Sequence, residues 1–185
     1  MSVLTLQPCP TDCTGSNPDV SFSECAGEFH YGEISKLYVA GSTAAAFTNV
    51  DLLAEWTTRL SDTDDGVDSI RTLVGIGELP EPEQTETAVS GGRTIYSPKT
   101  FNLAFEVDET NDTNYNYMLS TYCNSTKKVW IEMSDGMLYG GNEGIELILR
   151  GSQPLLKGRK DILKMLFKGK WESASDPLRC ISPMF

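Results

Sequence analysis

The chain has no run of about 18 apolar residues, so its sequence predicts no membrane-spanning helix. Its start, Met1-Ser2-Val3-Leu4-Thr5-Leu6-Gln7, lacks both the cationic head and the long apolar stretch of a secretory signal, which predicts a soluble protein that is not exported. Histidine is reduced to a single residue, His30, with no Ser or Cys partner in a recognisable nucleophile pattern. G-x-S-x-G, H-E-x-x-H and Gly-rich phosphate loops are all missing. These absences argue against an enzyme, favour no substrate class and lead to no expected cofactor. No internal repeat or low-complexity tract occurs either, so one domain accounts for the chain.

Cations are scarce over most of the sequence. The net charge is −11, with 5 Lys/Arg against 19 Asp/Glu in residues 1–126 and 10 against 7 in residues 127–185. Tight nucleic-acid binding needs an uncompensated basic surface, and the overall balance runs the other way. The cations gather between Arg150 and Lys170, where Arg150, Lys157, Arg159, Lys160, Lys164, Lys168 and Lys170 face one acid, Asp161. A chain polarised in this manner attracts copies of itself head to tail; two solvated faces without a partner is the simpler alternative.

The 5 cysteines, Cys9, Cys13, Cys25, Cys123 and Cys180, are an odd number, which speaks for free thiols over a disulfide framework. Cys9, Cys13, Cys25 and His30 could close a tetrahedral zinc site, since three thiolates and an imidazole suit that metal. Their spacing has no paired C-x-x-C, so scattered thiols are the simpler reading and no metal site is assigned. The acidic stretch Asp62-Thr63-Asp64-Asp65-Gly66-Val67-Asp68 invites calcium, but with Asp62 first, Val67 stands where such a loop needs Gly and Leu73 where it needs Glu. A solvated turn fits better. Asn111-Asp112-Thr113 and Asn124-Ser125-Thr126 match glycosylation acceptors by chance, given the missing signal.

What is present is β-structure. Residues 1–33 are rich in Pro, Gly, Ser and Asp and predict an irregular N-terminal arm, followed by a single β-rich domain over 34–185. Strands are predicted at Ile34–Ala40, at Ile70–Glu78, and most clearly at Thr100–Asp108, where Phe101, Leu103, Phe105 and Val107 alternate with polar residues. Val89–Ser97, turning at Gly91-Gly92, is expected to pair with that last strand as a long hairpin. Val129, Ile131 and Met133 alternate again, and Asp135-Gly136 predicts a hairpin returning through Met137–Gly140. Ile145, Leu147 and Leu149 form another strand. Asp161–Trp171 fits both periods; strand is preferred because Gly169 and flanking turns shorten any helix. Two short helices are predicted. One starts at Thr48-Asn49 with Val50, Leu53, Trp56 and Leu60 on one side; the other is capped by Thr110 or Asp112 with Tyr115, Met118, Leu119 and Tyr122 on one side.

The order of these elements, with Leu52-Leu53-Ala54-Glu55-Trp56 in the first helix, Phe101–Val107 in the long strand, Asn114-Tyr115-Asn116-Tyr117-Met118-Leu119 in the second helix and Lys128-Val129-Trp130-Ile131-Glu132 after it, resembles bacteriophage tail tube proteins over residues 31–171. That resemblance implies an antiparallel β-sandwich or barrel of tail-tube type. It implies a virion protein whose partners are copies of itself in stacked rings, six to a ring, and other tail proteins, with genomic double-stranded DNA passing through without tight binding. Bare sheet edges would serve ring closure, and the arm and the loop Gly77–Ala88 would reach a neighbouring ring. Glu106, Asp108 and Glu132 are candidates for an acidic bore that repels phosphates. The alternatives are a tail terminator or head-tail connector that stops at one ring, and, from another class, a β-sandwich ligand-binding module whose Cys-rich arm holds zinc.

Overall fold

Period-two hydrophobicity closes on itself in this chain. The computed structural model describes residues 32–62, 66–123, 126–155 and 162–185, and leaves Cys9, Cys13, Cys25 and His30 outside the described residues. In chain order the elements are β1 (Ile34–Gly41), α1 (Leu53–Ser61), β2 (Ile70–Glu78), β3 (Glu86–Val89), β4 (Arg93–Tyr96), β5 (Lys99–Val107), α2 (Asp112–Cys123), β6 (Thr126–Met133), β7 (Met137–Tyr139), β8 (Ile145–Ser152), β9 (Met165–Ser173) and β10 (Arg179–Ile181). Six strands run in the order β1-β2-β5-β9-β8-β6, every pair antiparallel, and β6 returns to β1. The protein is therefore mainly β with two helices, built on a six-stranded antiparallel barrel with extra strands.

Every barrel strand turns apolar side chains into the interior: Leu37 and Val39 from β1, Leu73 from β2, Leu103 and Phe105 from β5, Ile131 from β6, Leu149 from β8 and Phe167 from β9. Burying each such side chain is worth about 1.5–3 kcal/mol, so the interior is a packed core. In β1 both Ile34 and Leu37 face inward, three positions apart, which strict alternation forbids. A register shift between Ile34 and Lys36 restores the phase. Gly75 and Gly77 of β2 lie where a side chain would strike the main chain of β5 at Glu106 and Ala104, which lets the two strands approach at the barrel corner.

The outer side of β1 and β6 is also covered. Trp56 of α1 stacks on Phe47 at 4.4 Å and meets Tyr38 and Trp130 edge-on, while its indole N–H donates to the Val50 carbonyl at 2.7 Å. Arg59 lies 4.1 Å above the Phe47 ring and donates to the Ala45 and Ala46 carbonyls. Leu138 of β7 completes this second cluster, with Cys180 and Met184 of the C-terminal segment packed against it.

Three expectations need correction. First, Thr48-Asn49 does not start a helix: the Asn49 side chain accepts from the Asp51 N–H, closing a turn, and α1 begins at Leu53, which is 53% exposed. Second, α2 is capped by Asn111, whose side chain accepts from the Asn114 N–H at 2.8 Å. It buries Met118 and Thr121, while Tyr115, Leu119 and Tyr122 stay exposed. Third, Gly91 and Gly92, with φ of 81° and 70°, do make a hairpin turn, but it joins β3 to β4 alone; β5 pairs with β2 and β9. The strand reading of the segment ending at Trp171 holds, starting at Met165, and β10 was not foreseen.

Candidate functional site

The β3–β4 ribbon has the least cover of the described β-structure. It forms a separate two-stranded sheet, Glu86↔Tyr96 to Val89↔Arg93, and only Val89 among its strand residues is even half-buried. Ile95 and Tyr96 are 58% and 56% exposed. Its root is tied to the barrel through Glu83, which exchanges both main-chain hydrogen bonds with Thr100. Four acids, Glu78, Glu81, Glu83 and Glu86, lie along the limb leading into it, all exposed, with no Lys or Arg before Arg93. The Glu86 side chain and its charge hold the Tyr96 hydroxyl above its ordinary pKa.

On the next strands of the barrel, the outward faces of β8 and β9 carry cations. The register sets Lys168 between Ala104 and Arg150, and Lys170 between Asn102 and Ile148. Arg150 reaches the C-terminal end of α2, donating to the Tyr122 carbonyl at 3.3 Å with its guanidinium 5.6 Å from the Tyr122 ring. Lys164 pairs with Glu106 at 2.7 Å, and this partner holds its ammonium above the ordinary value.

The three bore candidates separate. Glu106 and Asp108 are exposed at the end of β5, where they share a surface hollow with Val74, Ile76 and Lys164. Glu132 is 1% exposed and cannot line a channel. Its Oε1 accepts from Lys36 at 2.6 Å, and its Oε2 accepts from the Tyr38 hydroxyl at 3.0 Å and the Ser182 hydroxyl at 2.6 Å. Burial, then the Glu132 charge, push the Tyr38 pKa up, keeping its hydroxyl a donor. This carboxylate ties the C-terminal segment to the barrel.

Free sheet edges are few. The six long strands mostly use one another's main-chain groups, but β2 meets β5 only at Ile76–Glu78, so Ile70–Val74 have no strand partner on that side among the described residues. At β10, the Gly140 N–H donates to the Leu178 carbonyl and the Ser182 N–H to the Gly136 carbonyl, which turns the main-chain groups of Arg179 and Ile181 outward. That short edge, the ribbon and the start of β2 are margins that the described strands leave without a strand partner.

One concavity is apolar: a cavity of about 360 Å³ at the barrel mouth, lined by Ile34, Leu79, Phe101, Ile131, Met133 and Tyr139, with Glu81 and Asp176 at its rim. Among the described residues, no three His, Cys, Asp or Glu gather as a metal site. Cys123 and Cys180 are free thiols, and burial together with a hydrogen bond to Asp51 pushes Cys180 up to about 11. Thr63, Asp64 and Asp65 of the acidic turn, and Asn124 and Ser125, lie outside the described residues. No described helix is long and apolar enough to cross a membrane. Comparison with protein-family models gives no match, and comparison with curated proteins gives none.

Proposed function

We propose that this chain is a virion structural protein, a phage tail tube subunit whose copies form rings, six to a ring, stacked into a channel for the genome. The observation that carries this reading is the β3–β4 ribbon. A two-stranded hairpin alone is marginal in water, and this one leaves Ile95 and Tyr96 exposed with none of the described residues covering them. A neighbouring copy supplies the missing cover. At −11 per copy, a ring would repel phosphates and let DNA slide without adhering; Glu106 and Asp108 remain candidates for the bore. The test is negative-stain microscopy of concentrated protein. Rings or hollow filaments are expected; a strictly monomeric protein, with or without a tail initiator complex, overturns the reading. Assembly that halts at one ring would assign the chain to a tail terminator or head-tail connector.

The apolar cavity at the barrel mouth favours a second reading, a ligand-binding module, because the mouths of β-barrels are common sites for small apolar ligands. A monomer that binds an apolar fluorescent dye, losing it on Met133→Lys, and that holds one zinc per chain through Cys9, Cys13, Cys25 and His30, would support it.

A further inference from the structure

We propose that the Lys168–Lys170 face of β9, with Ile148 beside it, seats the acidic limb and ribbon of a second copy. The inference rests on the self-assembly reading and specifies its contact.

The face is built against its own stability. Arg150 and Lys168 stand directly opposite on adjacent strands, and like charges in that position repel. Arg150 has compensation in the carbonyl end of α2. Lys168 and Lys170 have none: no described residue forms an ion pair with either, and their cross-strand neighbours are Ala104, Asn102, Arg150 and Ile148. Of the acids nearest on this face, Glu106 is held by Lys164, and Glu146 and Glu172, two residues along from Ile148 and Lys170, share a surface hollow with them but form no ion pair with either lysine. Next to the uncompensated lysines, Ile148 is 52% exposed. An apolar side chain opposite Lys170 and diagonal to Lys168 calls for a partner with acids beside apolar groups.

The ribbon meets that description. Its limb carries four exposed glutamates without a single Lys or Arg before Arg93, and its strands add Ile95 and Tyr96. The ribbon's two strands can lie flat on a barrel wall, with the limb's carboxylates towards the lysines and an apolar side chain on Ile148. DNA is the less favoured occupant, because four flanking acids and the net charge of −11 repel phosphate. Steering between such patches is a charge effect that weakens with salt.

The test uses two full-length variants in a sedimentation assay. K168E/K170E has an acidic face and an acidic ribbon; E83K/E86K has a basic face and a basic ribbon. Each alone should need about tenfold more protein to assemble, or fail to, and mixing the two in equal amounts should restore assembly, since each ribbon then meets an opposite face. All four positions are exposed, and circular dichroism should show both variants folded; K168Q/K170Q serves in place of the reversal if β9 is disturbed. Wild-type-like assembly of either reversal, or no rescue on mixing, overturns the contact while leaving the self-assembly reading intact, whereas a monomeric wild type removes that reading itself. Duplex DNA binding that K168E/K170E abolishes without changing assembly would assign the face to phosphate and overturn the proposal.

Discussion

Glu132 accounts for much of how the C-terminus is held. A buried carboxylate is costly unless its oxygens are fully engaged, and here Lys36, Tyr38 and Ser182 engage both. Glu132→Ala should cost about 3 kcal/mol or more in denaturant unfolding, because it strands a lysine and two hydroxyls. Ser182→Ala removes one donor and should cost about 1 kcal/mol. A Glu132→Ala protein as stable as wild type would contradict this account. The role was hidden in the sequence. Val129, Ile131 and Met133 alternate, so positions 130 and 132 read as wet, and Glu132 read as a surface acid. Its cover comes from Tyr38 and Ser182, 94 and 50 residues away along the chain, and no local pattern reports such partners.

At the scale of elements, α2 and the barrel meet at one position without a side chain. Gly151 faces inward from β8, and a Cβ there would run into Met118 and the Phe167 ring. Its N–H donates to the Thr121 hydroxyl at 3.0 Å. Gly151→Ala should therefore destabilise by about 1–3 kcal/mol, with Ser152→Ala, on the outward face, near neutral in the same thermal melt. An unchanged melting temperature for Gly151→Ala would show that α2 is not seated as described. The strands were most legible where they alternate with a period of two, as in β5, β6 and β8; β9 fits both periods and was read as strand from Gly169 and its flanking turns. The helix faces were not. In α2, Tyr115, Met118, Leu119 and Tyr122 are the more apolar stripe, yet the buried one includes Tyr117, Met118 and Thr121, because a hydroxyl was needed opposite Gly151. Pairing was equally hidden: β5 takes partners from the 70s and the 160s, and its neighbouring hairpin takes none.

For the whole molecule, the ribbon can be separated from the fold. Thr85 and Ser97 are already joined by a hydrogen bond of 2.9 Å, so replacing residues 86–96 by an Asn-Gly turn should close cleanly. The shortened protein is expected to melt within a few degrees of wild type and to lose assembly; persistent rings or filaments would show that the ribbon is not the joint. The polarity behind this contact was visible as the cluster of cations between Arg150 and Lys170. Which of them are uncompensated was not, since Lys164 finds Glu106 and Arg150 finds α2 only once the strands are in register. A barrel whose strands close in a ring through one another also separates two events that open-edged proteins combine. Each molecule finishes its own architecture before it meets another, so joints rest on side chains and short margins. Dismantling an assembly would then return whole barrels, fit to be joined again, in place of unravelled chain.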